Sequence, residues 1–195
     1  MKTRILVVLL ALMMITTGTA MANTLAEIVQ RGELRVAVQS GAAPYAFVDK
    51  NGDHAGSMVD FARDMADRMG VKLKIIDFDW DGLIPALLSG KADILAADMT
   101  PTLKRHLKIT FCDPWYYVQP RVFTTKAATF MRPEDTNKPD VTVGGLLGST
   151  GESISKKYLP YATINTYKGG GRIIVQALLS GHVVACVNVE LAVFR

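Results

Sequence analysis

Residues 79–105, DWDGLIPALLSGKADILAADMTPTLKR, confine this chain to an α/β architecture more tightly than any other segment. Leu83, Ile84, Leu87 and Leu88 recur at helical spacing on one apolar face, which predicts a helix from Gly82 to Ser89. Ser89-Gly90 then stops it, because glycine accepts the left-handed backbone of a C-terminal cap. Ile94 to Ala97 is an apolar run without alternation, the pattern of a strand covered on both faces. Asp98, Thr100 and Arg105 follow that strand's carboxyl end, which is where open α/β sheets bind ligands. An arginine there suits a carboxylate, since its forked donors match two oxygens at once.

The first 22 residues have the pattern of a cleaved secretory signal. Lys2 and Arg4 precede an apolar core from Ile5 to Ile15, and Ala20-Met21-Ala22 forms an A-x-A cleavage site. That core is too short for a membrane span, which needs about 20 residues. Export to the periplasm is the expectation. Removing 22 of the 195 residues leaves 173, room for one domain or two small lobes. The formal charge of +4 includes Lys2 and Arg4, so the remainder carries roughly +2, too little and too dispersed for a nucleic-acid partner. Cys112 and Cys186 are expected to be unpaired thiols, and neither shares a metal-ligand spacing with His54, His106 or His182. Those three histidines read as surface residues. No cofactor is expected.

Two α/β units alternate along the chain. The first reads as strand Leu34–Val38, helix Asp60–Met69, strand Lys72–Ile76, helix Gly82–Ser89 and strand Asp93–Ala97. Val59, Phe61, Ala62, Met65, Ala66 and Met69 form the buried stripe of the Asp60 helix, and Gly70 closes it. A strand from Val118 to Thr124 leads into a polar, proline-bearing connector between Lys126 and Asp140. The second unit reads as strand Val141–Gly145, a helix opened by Ser149-Thr150-Gly151-Glu152, strand Thr163–Tyr167, helix Arg172–Ser180 and strand Val183–Val189. Glu152 stands three residues after Ser149, as in a capping box. Gly169-Gly170-Gly171 lacks the strand-glycine-helix order of a phosphate loop and reads as a flexible turn.

The motifs GELRVAV, APYAFVDKNG, DWDGLIPALLSGKADIL, FCDPWYYV, LLGSTGE and QALLSG, in that order and spacing, resemble the periplasmic amino-acid-binding proteins that feed ABC transporters. The resemblance runs from about Gly32 to Arg195. It implies the two-lobed type II periplasmic-binding fold, with lobe 1 over residues 23–120 and lobe 2 over residues 121–195. It also implies a ligand held between the lobes, a permease partner and a monomer. By motif, Arg105 matches the family's carboxylate arginine and Thr100 a hydroxyl of the same loop. Asp98 stands where relatives usually carry glycine or serine. Ser149 and Thr150 match the second-lobe carboxylate clamp, at a helix start whose unpaired N–H groups favour an anion. Trp80 matches the aromatic that packs on the ligand, and Tyr45 lies in the corresponding first-lobe loop, where core packing is the competing role. Gln39 falls where some relatives carry an acid for a basic side chain, so with Ala42 nearby a strongly cationic ligand is not favoured.

Three positions depart from the family pattern. Val189 stands where relatives carry the Asp that pairs with the ligand's α-ammonium, Val184 replaces another usual Asp, and Cys186 a small residue. An unpaired buried ammonium would cost several kcal/mol. Asp98, Asn188 or Glu190 could take over, or the ligand lacks an amino group. Relatives continue past the point matched by Arg195 into a segment that returns to the first lobe, so the sequence is expected to be incomplete at its carboxyl end. Two other functions share the fold. One is a periplasmic dehydratase of the cyclohexadienyl type, for which Glu190 and Asp98 are the possible general acids. The other is a sensor or targeting module.

Overall fold

β1 (Glu33–Val38) is the centre of the first sheet because Leu34, Val36, Ala37 and Val38 are all fully buried. It pairs in parallel with β5 (Lys72–Asp77) on one side and with β6 (Ile94–Leu95) on the other. The computed structural model describes residues 24–114 and 116–189. The signal-peptide assignment and Glu190 therefore fall outside the described residues.

Helix α1 (Thr24–Arg31) precedes β1 and inserts Ile28 into the core. A small antiparallel sheet of β2 (Gly41–Ala42), β3 (Ala46–Val48) and β4 (His54–Ala55) follows. Helix α2 (Ser57–Met69) covers the main sheet with Met58, Val59, Ala62 and Ala66, and ends at Gly70 with φ 66°. The expected stripe included Phe61, but its ring is 46% exposed and Met58 packs inward instead.

A 3₁₀ turn at Trp80–Gly82 leads into α3 (Leu83–Leu88), which Gly90 terminates at φ 70°. The expected apolar face is corrected here. Leu83 and Ala86 are the buried pair, while Leu88 is 58% exposed, because the 3₁₀ entry sets which side of so short a helix meets the sheet. The strand expected over Asp93–Ala97 is only Ile94–Leu95. Asp93 instead accepts from the backbone N–H and guanidinium of Arg35 and so anchors β6 against β1.

After the short helix α4 (Leu103–His106), β7 (Pro120–Thr124) leads into the second unit, where the strand expected from Val118 begins two residues later. Its sheet runs β7-β10-β8-β9, with β8 at Thr142–Leu146, β9 at Thr163–Tyr167 and β10 at Ala185–Val189. β10 is parallel to β8 and antiparallel to β7. Helices α5 (Thr150–Tyr158) and α6 (Gly171–Leu179) pack on it, with Val143, Val183, Ala185 and Cys186 as the fully buried centre.

Cys112 is exposed, Cys186 is buried, and both are free thiols. His106 and His182 are exposed as expected. His54 is half-buried instead, its Nδ1 lying 3.0 Å from the Ser40 hydroxyl.

Candidate functional site

The start of α5 is a tightly bonded corner. Ser149 caps the helix, its hydroxyl accepting from the Glu152 N–H at 3.1 Å. The expected return bond from Glu152 to the cap residue is displaced by one position. Its carboxylate accepts instead from the Gly148 N–H at 2.6 Å, and also from Lys156 Nζ at 2.6 Å and Thr166 Oγ1 at 3.3 Å. Burial alone would raise the Glu152 carboxyl, but those bonds from Lys156 and Gly148 outweigh it and hold the group below its ordinary range. The turn ahead of α5 is thereby fixed, with Gly148 at φ 74°. Gly151 follows because an added Cβ would collide with the Val187 carbonyl oxygen of β10. Helix and strand meet at the backbone there.

From the first unit, the loop after β6 faces this corner. Thr102 caps α4 by accepting from the Arg105 N–H. The buried Arg105 guanidinium donates to the Thr100 carbonyl at 2.6 Å and to the Gly148 carbonyl at 2.9 Å. Its Cζ lies 5.4 Å from the Trp80 ring centroid, in cation–π range. Trp80 in turn packs against core residues of both units and donates its backbone N–H to the Gly169 carbonyl.

A narrow cavity lies between these elements. Gln39, Trp80, Asp98, Thr100, Ser149, Thr150 and Asn188 line it, seven of the ten residues expected from sequence. Arg105 does not reach its wall; the guanidinium lies behind it on the two carbonyls. Tyr45 is also absent from the lining and belongs to the first core, its ring stacked on Tyr116 at 6.0 Å and 15°. Burial pushes the Tyr45 phenol above its ordinary value.

Asp98 adopts φ 45°, the one positive φ among the described non-glycine residues. Burial pushes its carboxyl up to about 7. No hydrogen bond or ion pair to that carboxylate exists among the described residues.

An outer cavity of about 420 Å³ adjoins the narrow one and shares Gln39 and Gly41 with it. Asp77, Asp79 and Arg172 line it, and none of them was anticipated as a site residue. Their signal was present, since Asp77 and Asp79 stand at the carboxyl end of β5. Gln39 is 5% exposed, and its amide lies against the backbone of Gly170. Among the described residues there is no three-residue cluster suited to a metal ion.

The fold recurs in known proteins. The chain is 32% identical over 124 residues to the lysine/arginine/ornithine-binding periplasmic protein of Escherichia coli, covering 64% of this chain and 47% of that protein. It is 27% identical over 157 residues to the cyclohexadienyl dehydratase of Pseudomonas aeruginosa, covering 80% of this chain and 59% of the relative. Thus the chain spans about half the length of these curated relatives. Among solved structures it is similar to the ancestral amino acid-binding protein AncCDT-1, a precursor of cyclohexadienyl dehydratase. That likeness has a TM-score of 0.81 and 39% identity, over 86% of this chain and 74% of the other. The sequence pattern that defines the bacterial extracellular solute-binding proteins, family 3, matches residues 34–167. With that match and the shared two-lobed α/β fold, the chain belongs to the bacterial extracellular solute-binding proteins of family 3.

Proposed function

We propose that this protein captures a small carboxylate-bearing solute, an amino acid or a close relative of one, in the periplasm and delivers it to an ABC-type importer as a monomer. The observation that carries this reading is the cavity between the two sheets, where the cap and first residue of α5 face Thr100 and Trp80 of the first unit. A helix start presents unpaired N–H groups and about half a positive charge, which suits a carboxylate. Trp80 offers a rigid apolar surface to the rest of the ligand. Arg105 supports this corner from behind the cavity wall by holding the Thr100 and Gly148 carbonyls. Delivery to a permease and export through a cleaved signal rest on the family and on the first 22 residues. Thermal-shift screening against the common L-amino acids tests the reading. A concentration-dependent rise in Tm with at least one of them is expected, and no shift with any of them would overturn it.

A second reading has one specific observation in its favour. A half-buried carboxyl lifted to about 7 in a cleft is what a general acid at neutral pH requires, and Asp98 has that character. Turnover of prephenate or arogenate by the purified protein, abolished in Asp98→Asn, would establish a dehydratase.

A further inference from the structure

The charge pattern of the narrow cavity is two-ended. One end is the start of α5, with Ser149 and Thr150, which favours an anion. The remaining lining residues include only one ionisable side chain, Asp98. Its carboxylate has no partner among the described residues, although it faces a cavity otherwise walled by neutral groups and an indole. Asp98 also occupies a left-handed backbone position that costs a non-glycine residue about 1–2 kcal/mol. Asparagine and aspartate are the side chains that tolerate that conformation best, so the backbone alone does not call for an acid here. An uncompensated carboxylate in such a place is unfavourable until a cation arrives.

From this geometry we infer that Asp98 is the anchor for the ligand's ammonium group, so that the solute is zwitterionic rather than a plain carboxylate. The inference rests on the solute-binding reading above and narrows it. The second unit does not supply this charge from the strand that borders the cavity, since β10 brings Asn188 to its wall and carries no acid. The loop after β6 supplies it, which places Asp98, Thr100 and Arg105 on one eight-residue segment of the first unit. That segment therefore reads the ammonium, and α5 the carboxylate. The two units grip opposite ends of one head group.

Calorimetry with matched ligand pairs tests this. L-arginine is compared with 5-guanidinopentanoate, and L-glutamine with glutaramate, each second compound being the first without its α-amino group. The wild-type protein is expected to bind at least one amino acid about ten- to a hundredfold more tightly than its deaminated partner, the range of a hydrogen bond to a charged group. Asp98→Asn keeps the size and the left-handed tolerance but loses the charge. It is expected to bring that ratio close to one. Equal wild-type affinity for both members of a pair would overturn the inference and leave the carboxylate site standing. So would a ratio that survives in Asp98→Asn. Binding of neither member of either pair, together with no response to the other common amino acids, would instead overturn the solute-binding reading itself.

Discussion

Arg105 Nη2 donates to the Gly148 carbonyl oxygen at 2.9 Å, so one guanidinium ties the loop after β6 to the turn that opens α5. The same group donates to the Thr100 carbonyl, and it is 7% exposed. Replacement by lysine leaves a single ammonium where two carbonyls diverge, so one of them loses its donor at a cost of about 1–3 kcal/mol. Arg105→Lys is expected to lower Tm and to weaken amino-acid binding about tenfold or more. Calorimetry together with thermal unfolding checks it, and unchanged values in both would show that the two carbonyls do not depend on the fork.

Gly151→Ala carries two opposing effects. Alanine favours a helix over glycine by about 1 kcal/mol. Here the new methyl would meet the Val187 carbonyl, and because that neighbour is backbone it cannot rotate away. The clash wins. The variant is expected to lose stability and to bind about tenfold more weakly, since α5 must lift off β10 and carry its first N–H groups with it. A variant as stable as the wild type would show that the strand yields instead.

Asp98 and Glu152 make opposite contributions to stability as pH changes. The Glu152 carboxyl is held below its unfolded value, so its contribution is present above roughly pH 4.3 and is lost as pH falls through the folded value. The Asp98 carboxyl is raised from 3.8 to about 7, so the folded protein binds more protons than the unfolded chain between those values. Stability then falls as pH rises through that window. In the absence of ligand, Asp98→Asn is expected to stabilise the protein above about pH 7, by up to a few kcal/mol, and to leave it unchanged near pH 4. Urea titrations at the two pH values measure this, and a variant equally or less stable at the higher pH would contradict it.

Gln39 sits between the two cavities with a buried amide. A carboxylate in its place would face whatever the ligand extends toward Asp77 and Asp79. Gln39→Glu is expected to move the ratio of affinities toward L-arginine over L-glutamine by about tenfold. An unchanged ratio, measured by competition, would mean that the ligand side chain does not pass this residue.

Periodicity carried most of the fold because the two larger sheets are made mainly of short, apolar, parallel strands with helices between them. It failed where an element is too short to average out its ends. α3 is six residues behind a 3₁₀ turn, so Ala86 rather than Leu88 faces the core. The loop after β6 was legible as a ligand loop by its place after a strand, and so was the cap at Ser149. The Arg105–Gly148 bond was not, since its partners are 43 residues apart and their meeting depends on how two sheets pack. Glu152 shows a finer limit. A capping-box pattern specifies that an acid returns to the helix start, but the tight turn at Gly148 decides which N–H it finds.

Trp80 donates its main-chain N–H to Gly169, packs its ring in the cores of both units, and lies under the Arg105 guanidinium. Its indole is therefore a native optical gauge of the gap between the halves. Separation of the two sheets strips the ring of its apolar neighbours in the second unit, and that loss alters its emission. The protein carries in this one side chain a readout of opening that requires no added label.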